Sequence, residues 1–329
     1  MAGPLSPQSR PVRLLAAGGT ISMEGEHAVP ALDAGQLIEA IPALADVGEL
    51  HAENVLSLPG PQIALAQALA LVARARQAGD SGEGVVITTG TDTLEELAML
   101  AALTYGGPAP IVITGANRPA SAAGADGPAN LLDAVAVAAA GLAAGLGAVV
   151  VFGGEIHAAA SARKVDSTGP AAFGSPVAGP IGRVVEGRLW LHARPLRTPP
   201  LTPGALEYRV PIITAALGDD GELMRAAATT ADGLVVHAFG AGHLTPGMLA
   251  ALRDAVERMP VVLTVRPERG SMLHATYGFD GSERDLRASG AVPAPFLSPA
   301  AARIALLCCL GAGLDGGGIA AALAPWDAT

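Results

Sequence analysis

Lysine is almost missing from this chain. Of the twenty basic residues among 329, nineteen are arginine and one is Lys164. Aromatic residues amount to 3% and charged residues to 15%, and the two cysteines, Cys308 and Cys309, are adjacent in the apolar run IALLCCL. Each scarcity excludes something. A formal net charge of −10, with no cluster of arginine and lysine, argues against nucleic acid as a partner, because phosphate contacts need concentrated positive charge. Neighbouring cysteines in a helical run point in different directions, so no disulfide between them is expected, and no Cys or Cys/His spacing suits a zinc site. The opening MAGPLSPQSRPVR contains no apolar core of the kind a secretory signal carries. The uncharged stretch 134–152, AVAVAAAGLAAGLGAVVVF, is Ala/Gly-rich and only weakly apolar. It reads as a helix, a glycine-containing loop and a buried strand, not as a membrane span. The expectation is a cytoplasmic protein whose partners include neither membrane nor nucleic acid.

What the chain does have is apolar residues, 50% of the total, mostly Ala, Leu and Val, in alternating short runs and longer Ala-rich stretches. VRLLAA (12–17), LHAENVLSL (50–58), GVVITT (84–89), PIVIT (110–114) and AVVVF (148–152) read as strands. AGQLIEAIPAL, IALAQALALVARARQAG, LEELAMLAAL and ANLLDAVAVAAAG read as the helices between them. Such alternation means parallel strands covered by helices on both faces, which makes each strand a continuous apolar run. After residue 153 the pattern turns to Gly/Pro-rich hairpin segments. HARPLRTPPLTPGALEYR then places four prolines in a stretch with little apolar periodicity, and beyond it strands and helices resume, one helix opened by Thr245-Pro246 and another by Ser298-Pro299. The fold class expected is α/β with two domains. The larger N-terminal domain (1–193) carries a mainly parallel sheet flanked by helices, a linker spans 194–210, and a smaller C-terminal α/β domain covers 211–329.

In open α/β sheets ligands sit beyond the carboxyl ends of the strands, so the loops directly after strands carry the candidates. AAGGTIS (16–22) turns on two glycines and presents Thr20. TTGTDTLEE (88–96) is released by Gly90 and presents Thr91 and Asp92 beside a helix N-terminus, with Thr93 and Glu96 at the spacing of a capping box. SARKVDSTG (161–169) holds the lone lysine. An amine can give up a proton and take one back; a guanidinium, with a pKa of about 12 or higher, cannot.

These segments together resemble the bacterial-type L-asparaginase/glutaminase family. AAGGTIS, ITTGTDTLEE, VITGANRPASAAGADGPANL and the spacing from Lys164 to Phe173-Gly174-Ser175 match its ordered motifs through about the first 180 residues. The resemblance implies an amidohydrolase with a threonine nucleophile, no metal and no organic cofactor, and a homodimer or homotetramer. It implies that Thr20 attacks the side-chain amide carbon of a small amino-acid amide, that Thr91 and Lys164 handle the proton and the attacking water, and that Asp92 pairs with the substrate α-ammonium. Backbone N–H groups around Thr91 and Ala116 are the expected oxyanion donors, and Gly90 is a further expected substrate contact.

The sequence departs from the family pattern in three places. The loop after the first threonine, SMEGEHAVPALDAGQ (22–36), is short and lacks the usual tyrosine; Tyr277, helped by Glu283, is the expected substitute. In LPGPQI (58–63), Gln62 is in place for the substrate α-carboxylate but Pro61 stands where a serine is expected. Losing one hydrogen bond to a charged group costs roughly 1.5–3 kcal/mol, which implies a raised KM for asparagine or a preference for another amide. Thr89 stands where the family has histidine or glutamine, and nothing in the sequence explains it. Three alternatives stay open here: a glutaminase-asparaginase or amidase of altered specificity, an ammonia-supplying subunit of the same superfamily, and a catalytically impaired amino-acid-binding relative.

Overall fold

The structure is a computed structural model that describes residues 9–24, 27, 29–30 and 32–327, with backbone alone for 24, 29 and 30. The chain divides into two compact units, Met1–Pro200 and Leu201–Thr329.

The first unit starts with β1 (Val12–Gly18), a short ribbon of β2 (Met23–Glu24) and β3 (Val29–Pro30), and helix α1 (Ala34–Glu39). It continues through β4 (Leu50–Leu58), α2 (Leu65–Asp80), β5 (Gly84–Thr88), α3 (Leu94–Thr104), β6 (Ile111–Thr114), α4 (Gly127–Ala139) and β7 (Ala148–Phe152). Antiparallel pieces close it: β8 (Glu155–Ala158), β9 (Arg163–Lys164), β10 (Phe173–Gly174), β11 (Gly182–Val185) and β12 (Arg188–Leu191). Eight strands form one sheet in the order β12-β11-β8-β7-β6-β5-β1-β4. The five from β7 to β4 are parallel and the other three antiparallel.

Side-chain alternation explains the layers. Val86, Val112 and Val149 pack with α1 and α4 residues such as Leu37, Leu131 and Val135 in one core. The interleaved Val85, Ile87, Ile111 and Ile113, all fully buried, face the other side, where α2 and α3 lie against β5 and β6. Strands buried on both faces read as unbroken apolar runs, as β5, β6 and β7 do. β4 differs from that expectation. As the edge strand it is nowhere fully buried, and its polar residues His51, Glu53 and Asn54 reflect a half-wet position. The stretch 134–152 is the end of α4, a loop and β7, and among the described residues no helix is long and apolar enough to cross a membrane.

One topological fact positions the site. From β1 the chain moves to β4 on one side, then crosses to β5 on the other. Loops leaving adjacent strands in opposite directions open a crevice at the strands' carboxyl ends, and such switch points are where α/β sheets bind ligands. Thr20 follows β1 and Thr91 follows β5. Arg194, donating to the carbonyls of Ala144 and Leu142, and Arg197, donating to those of Tyr105 and Gly107, fasten the segment before residue 200 onto this unit.

The second unit contains β13 (Ile212–Thr214), α5 (Glu222–Ala228), β14 (Leu234–Ala238), α6 (Pro246–Val256), β15 (Val261–Val265), α7 (Glu283–Ala288), β16 (Val292–Pro293), α8 (Pro299–Gly311) and α9 (Gly316–Leu323). Its four strands are parallel in the order β13-β14-β15-β16, so the strand order never reverses and no switch-point crevice forms within it. Thr245 and Ser298 cap α6 and α8 by accepting from the N–H groups of Met248 (3.1 Å) and Ala301 (3.0 Å). Cys308 and Cys309 are free thiols buried in α8, and burial pushes them up to about 12 and about 11.

Candidate active site

Three loops meet backbone against backbone beyond the ends of β4, β1 and β5. Gly19 has φ of +80°, and a Cβ there would lie 2.2 Å from the Gly90 nitrogen; a Cβ on Gly90 would lie 2.7 Å from the Gly60 nitrogen. No side chain fits either gap, and Gly19 needs the left-handed conformation as well. The Gly19 N–H donates to the Leu58 carbonyl at 3.1 Å, tying the β1 loop to the end of β4. These contacts account for the glycines of AAGGTIS and TTGTDT.

Thr20 opens a single 3₁₀ turn, Thr20–Ser22, which Ser22 closes by donating to the Gly19 carbonyl at 2.9 Å. Ile21 is buried beside Gly127, so Thr20 sits between two anchored neighbours. It is half-buried, and among the described residues its hydroxyl has no side-chain partner. Residues 25, 26, 28 and 31 of the following short loop, the one without the usual tyrosine, lie outside the described residues.

Thr91 is in a different state. It is buried, and Lys164 Nζ donates to its Oγ1 at 2.9 Å and to Asp92 Oδ1 at 2.8 Å. The Asp92 side chain is 63% exposed against 21% for Lys164, and an exposed ion pair contributes only about 0–1 kcal/mol. The pair therefore matters less for stability than for where it holds the amine. Lys164 lies on β9, paired with β10 through Phe173, whose ring rests on Phe152 with centroids 5.0 Å apart.

The expected capping box at Thr93 and Glu96 does not form. Thr93 is the N-cap of α3, but its side chain makes no cap hydrogen bond, and its backbone (φ −119°, ψ 8°) is not the extended conformation a capping box requires. Its hydroxyl lies instead against the backbone of Gly60.

Sequence reasoning missed five supporting side chains. Glu95, in the first turn of α3, accepts from the Lys164 backbone N–H at 2.8 Å. Asn117 donates to the Gly169 carbonyl at 2.8 Å, pinning the far side of the lysine loop. Asp126 accepts from the N–H groups of Asn117 (3.0 Å) and Arg118 (2.9 Å), and the buried Asn130 amide donates to the Gly115 carbonyl (3.0 Å) while accepting from Gly153 N–H (3.0 Å). Asp126 and Asn130 thus fix the loop carrying the fully buried Ala116, and they lie inside the quoted segment GADGPANL, whose regularity was the available signal. His157, fully buried, contacts Ser175 Oγ through Nδ1 at 3.1 Å. Burial pushes its imidazole below the ordinary value, against the pull of Glu155; its Nε2, 3.6 Å from Glu155 Oε2, is too far for a hydrogen bond.

Pro61 and Gln62 are exposed and lie in the turn Gly60–Gln62 that abuts Gly90. Tyr277 and Glu283 belong to the second unit. Glu283 is fully buried, and its carboxylate accepts from Tyr277 N–H (2.8 Å) and contacts His243 Nε2 (3.2 Å). Burial alone would raise its pKa, but the N–H groups of Tyr277, Glu283 and Thr276, with His243, hold it below the usual range. A carboxylate sealed in this way shapes the loop that carries the half-exposed Tyr277.

The pattern of the Asparaginase N-terminal domain matches residues 11–197, and that of the Glutaminase/Asparaginase C-terminal domain matches 209–323. The chain belongs to the asparaginase family. A probable L-asparaginase of Deinococcus radiodurans is 38% identical over 316 residues, covering 93% of this chain and 95% of that protein. A glutaminase-asparaginase of Pseudomonas fluorescens is 37% identical over 195 residues, 56% of this chain and 54% of that one. The crystal structure of a probable cytoplasmic L-asparaginase from Campylobacter jejuni superposes with a TM-score of 0.85 at 27% identity, covering 96% of this chain and 99% of that chain. The asparaginase fold is therefore shared across both units, and the two-unit α/β architecture expected from the sequence is the one observed.

Proposed function

We propose that this chain hydrolyses the side-chain amide of L-asparagine to L-aspartate and ammonia through an acyl ester on Thr20. The observation that carries the reading is the Lys164 amine, held 2.9 Å from Thr91 Oγ1 and 2.8 Å from Asp92 Oδ1 beside the switch-point crevice. In the first step Thr20 Oγ bonds to the amide carbon, the C–N bond breaks, and the hydroxyl proton leaves with the nitrogen as ammonia. In the second, water adds to the ester carbon, the C–Oγ bond breaks, and a water proton returns to Thr20. Dividing one hard displacement into two easier ones is the use of a covalent nucleophile.

Thr91 and Lys164 form a hydroxyl–amine pair able to pass a proton along a 2.9 Å contact, a role a guanidinium cannot fill. Asp92 has most of its carboxylate exposed, which suits pairing with a substrate ammonium. Gln62 would hold the substrate α-carboxylate, with Pro61 contributing no hydrogen bond, and the N–H groups at Gly90, Thr91 and Ala116 would receive the oxyanion. The assembled form we propose is a homodimer or homotetramer, which the mass in solution checks. A cytoplasmic location accords with the likeness to the Campylobacter protein and is checked by fractionation.

Glutamine is the second substrate reading, supported by the likeness to the Pseudomonas glutaminase-asparaginase. Ammonia release over L-asparagine, L-glutamine and their D-enantiomers separates the two. We expect turnover of L-asparagine to exceed that of L-glutamine. Preference for glutamine would favour the second reading, and inactivity on every amide would overturn both.

A further inference from the structure

We infer that Glu95 is the residue that positions the Lys164 amine, acting through the backbone and not through charge. The inference rests on the proposed role of the Thr91–Lys164 pair. Lys164 sits on a strand of two residues, Arg163–Lys164, whose only ladder partner among the described residues is the equally short Phe173–Gly174. Two residue pairs cannot by themselves fix a flexible four-carbon side chain. The first turn of α3 supplies what the ladder lacks. Thr91 and Asp92, just before the helix, take Nζ at 2.9 and 2.8 Å, and Glu95, three residues on, takes the backbone N–H of the same lysine at 2.8 Å. One rigid helix start therefore grips Lys164 at both ends of its side chain, across 69 residues of sequence.

An acidic residue in the first turn of a helix has an ordinary explanation, stabilisation by the helix dipole. That explanation requires charge and does not require reach. The hydrogen bond requires an acceptor oxygen at the right distance and does not require charge. The two accounts therefore rank conservative variants in opposite orders. Glu95→Gln keeps an acceptor at the same reach and loses the charge. Glu95→Asp keeps the charge and falls one methylene short.

Because Lys164 is the only lysine, an amine reagent reports on it almost alone. Trace reductive methylation with ¹³C-formaldehyde, read by peptide mass spectrometry, separates the Lys164 peptide from the N-terminal amine and needs no enzymatic turnover. We expect labelling of Lys164 to rise at least about threefold in Glu95→Asp and Glu95→Ala, and kcat to fall about 10- to 100-fold, the scale of a misplaced catalytic group. KM should stay within about twofold, since substrate contacts are untouched. Glu95→Gln should stay close to wild type in labelling and kcat. Glu95→Asp matching wild type while Glu95→Gln falls would overturn the inference in favour of the dipole. Unchanged labelling in both Asp and Gln variants would overturn it outright. Should Glu95→Ala fail to fold, the Asp and Gln pair still decides. An amide panel on which wild type is inactive overturns the functional reading, while the labelling order continues to test the positioning.

Discussion

The two threonines of the crevice occupy opposite situations. Thr91 is buried and engaged by an amine, on a loop fixed by a helix start, a glycine contact and a hydroxyl–lysine bond. Thr20 is half-buried on a single 3₁₀ turn, its backbone anchored on both sides and its hydroxyl without a side-chain partner among the described residues. A group that must bond to substrate and release it needs open space in front of it, while a group that shuttles protons needs a fixed partner behind it. The contrast fits the proposed roles, bond-making at Thr20 and proton-handling at Thr91, though both are threonines after adjacent parallel strands.

The sharpest way to break that assignment is to delete each hydroxyl separately. Thr20→Ala should lower kcat about 10,000-fold, the scale of losing a nucleophile, and no aspartyl adduct should appear by intact-protein mass spectrometry. Thr91→Ala should also be slow, yet it should release a burst of about one ammonia per site and accumulate an adduct on Thr20, because its defect falls in the second step. An adduct in the Thr20→Ala protein, or none in Thr91→Ala together with full turnover in Thr20→Ala, would reverse the roles.

A smaller effect tests the partner. Lys164→Arg keeps a positive charge near Asp92 and removes the ability to exchange a proton, so kcat should fall about 100- to 1,000-fold. KM for asparagine should change little, since Asp92 retains its counter-charge. A kcat within threefold of wild type would mean that Lys164 serves only as a charge, and that the contrast between the two threonines has another origin.

The sequence displayed the parts of this site whose signal is local. Gly19 and Gly90 stand out because a close backbone contact tolerates nothing larger, and Lys164 stands out because every other basic residue is arginine. Parallel strands were legible for β5, β6 and β7, whose burial on both faces leaves unbroken apolar runs. Edge position is a property of the assembled sheet, and so β4 looked like the others until its neighbours were known. The same limit hid Glu95: its acidic side chain in a first helical turn has a sufficient local explanation, and the Lys164 N–H it accepts from is 69 residues away. Thr93 and Glu96 show the converse, a correct spacing without the backbone conformation to use it. Asn130 was visible as a motif letter only, because its bonds to Gly115 and Gly153 join loops that the sequence keeps apart.

The smallest effect concerns Pro61, which on the proposed function stands on the side of the crevice that takes the substrate carboxylate. Pro61 lies in the turn Gly60–Gln62, whose first residue packs on Gly90, so a change there reaches the substrate without passing through Thr20 or Lys164. Serine at this position adds a hydroxyl and an N–H, and one restored hydrogen bond to a charged group contributes roughly 1.5–3 kcal/mol. Pro61→Ser should therefore lower KM for L-asparagine about tenfold or more and leave kcat within about twofold. The loss of proline's fixed φ works against this through a more flexible unfolded chain, at about 0.4–1 kcal/mol of stability, which thermal denaturation measures separately from KM. A fall in kcat with KM unchanged would place the 60–62 turn on the chemical side of the crevice, and the separation between binding loop and threonine loops would have to be redrawn.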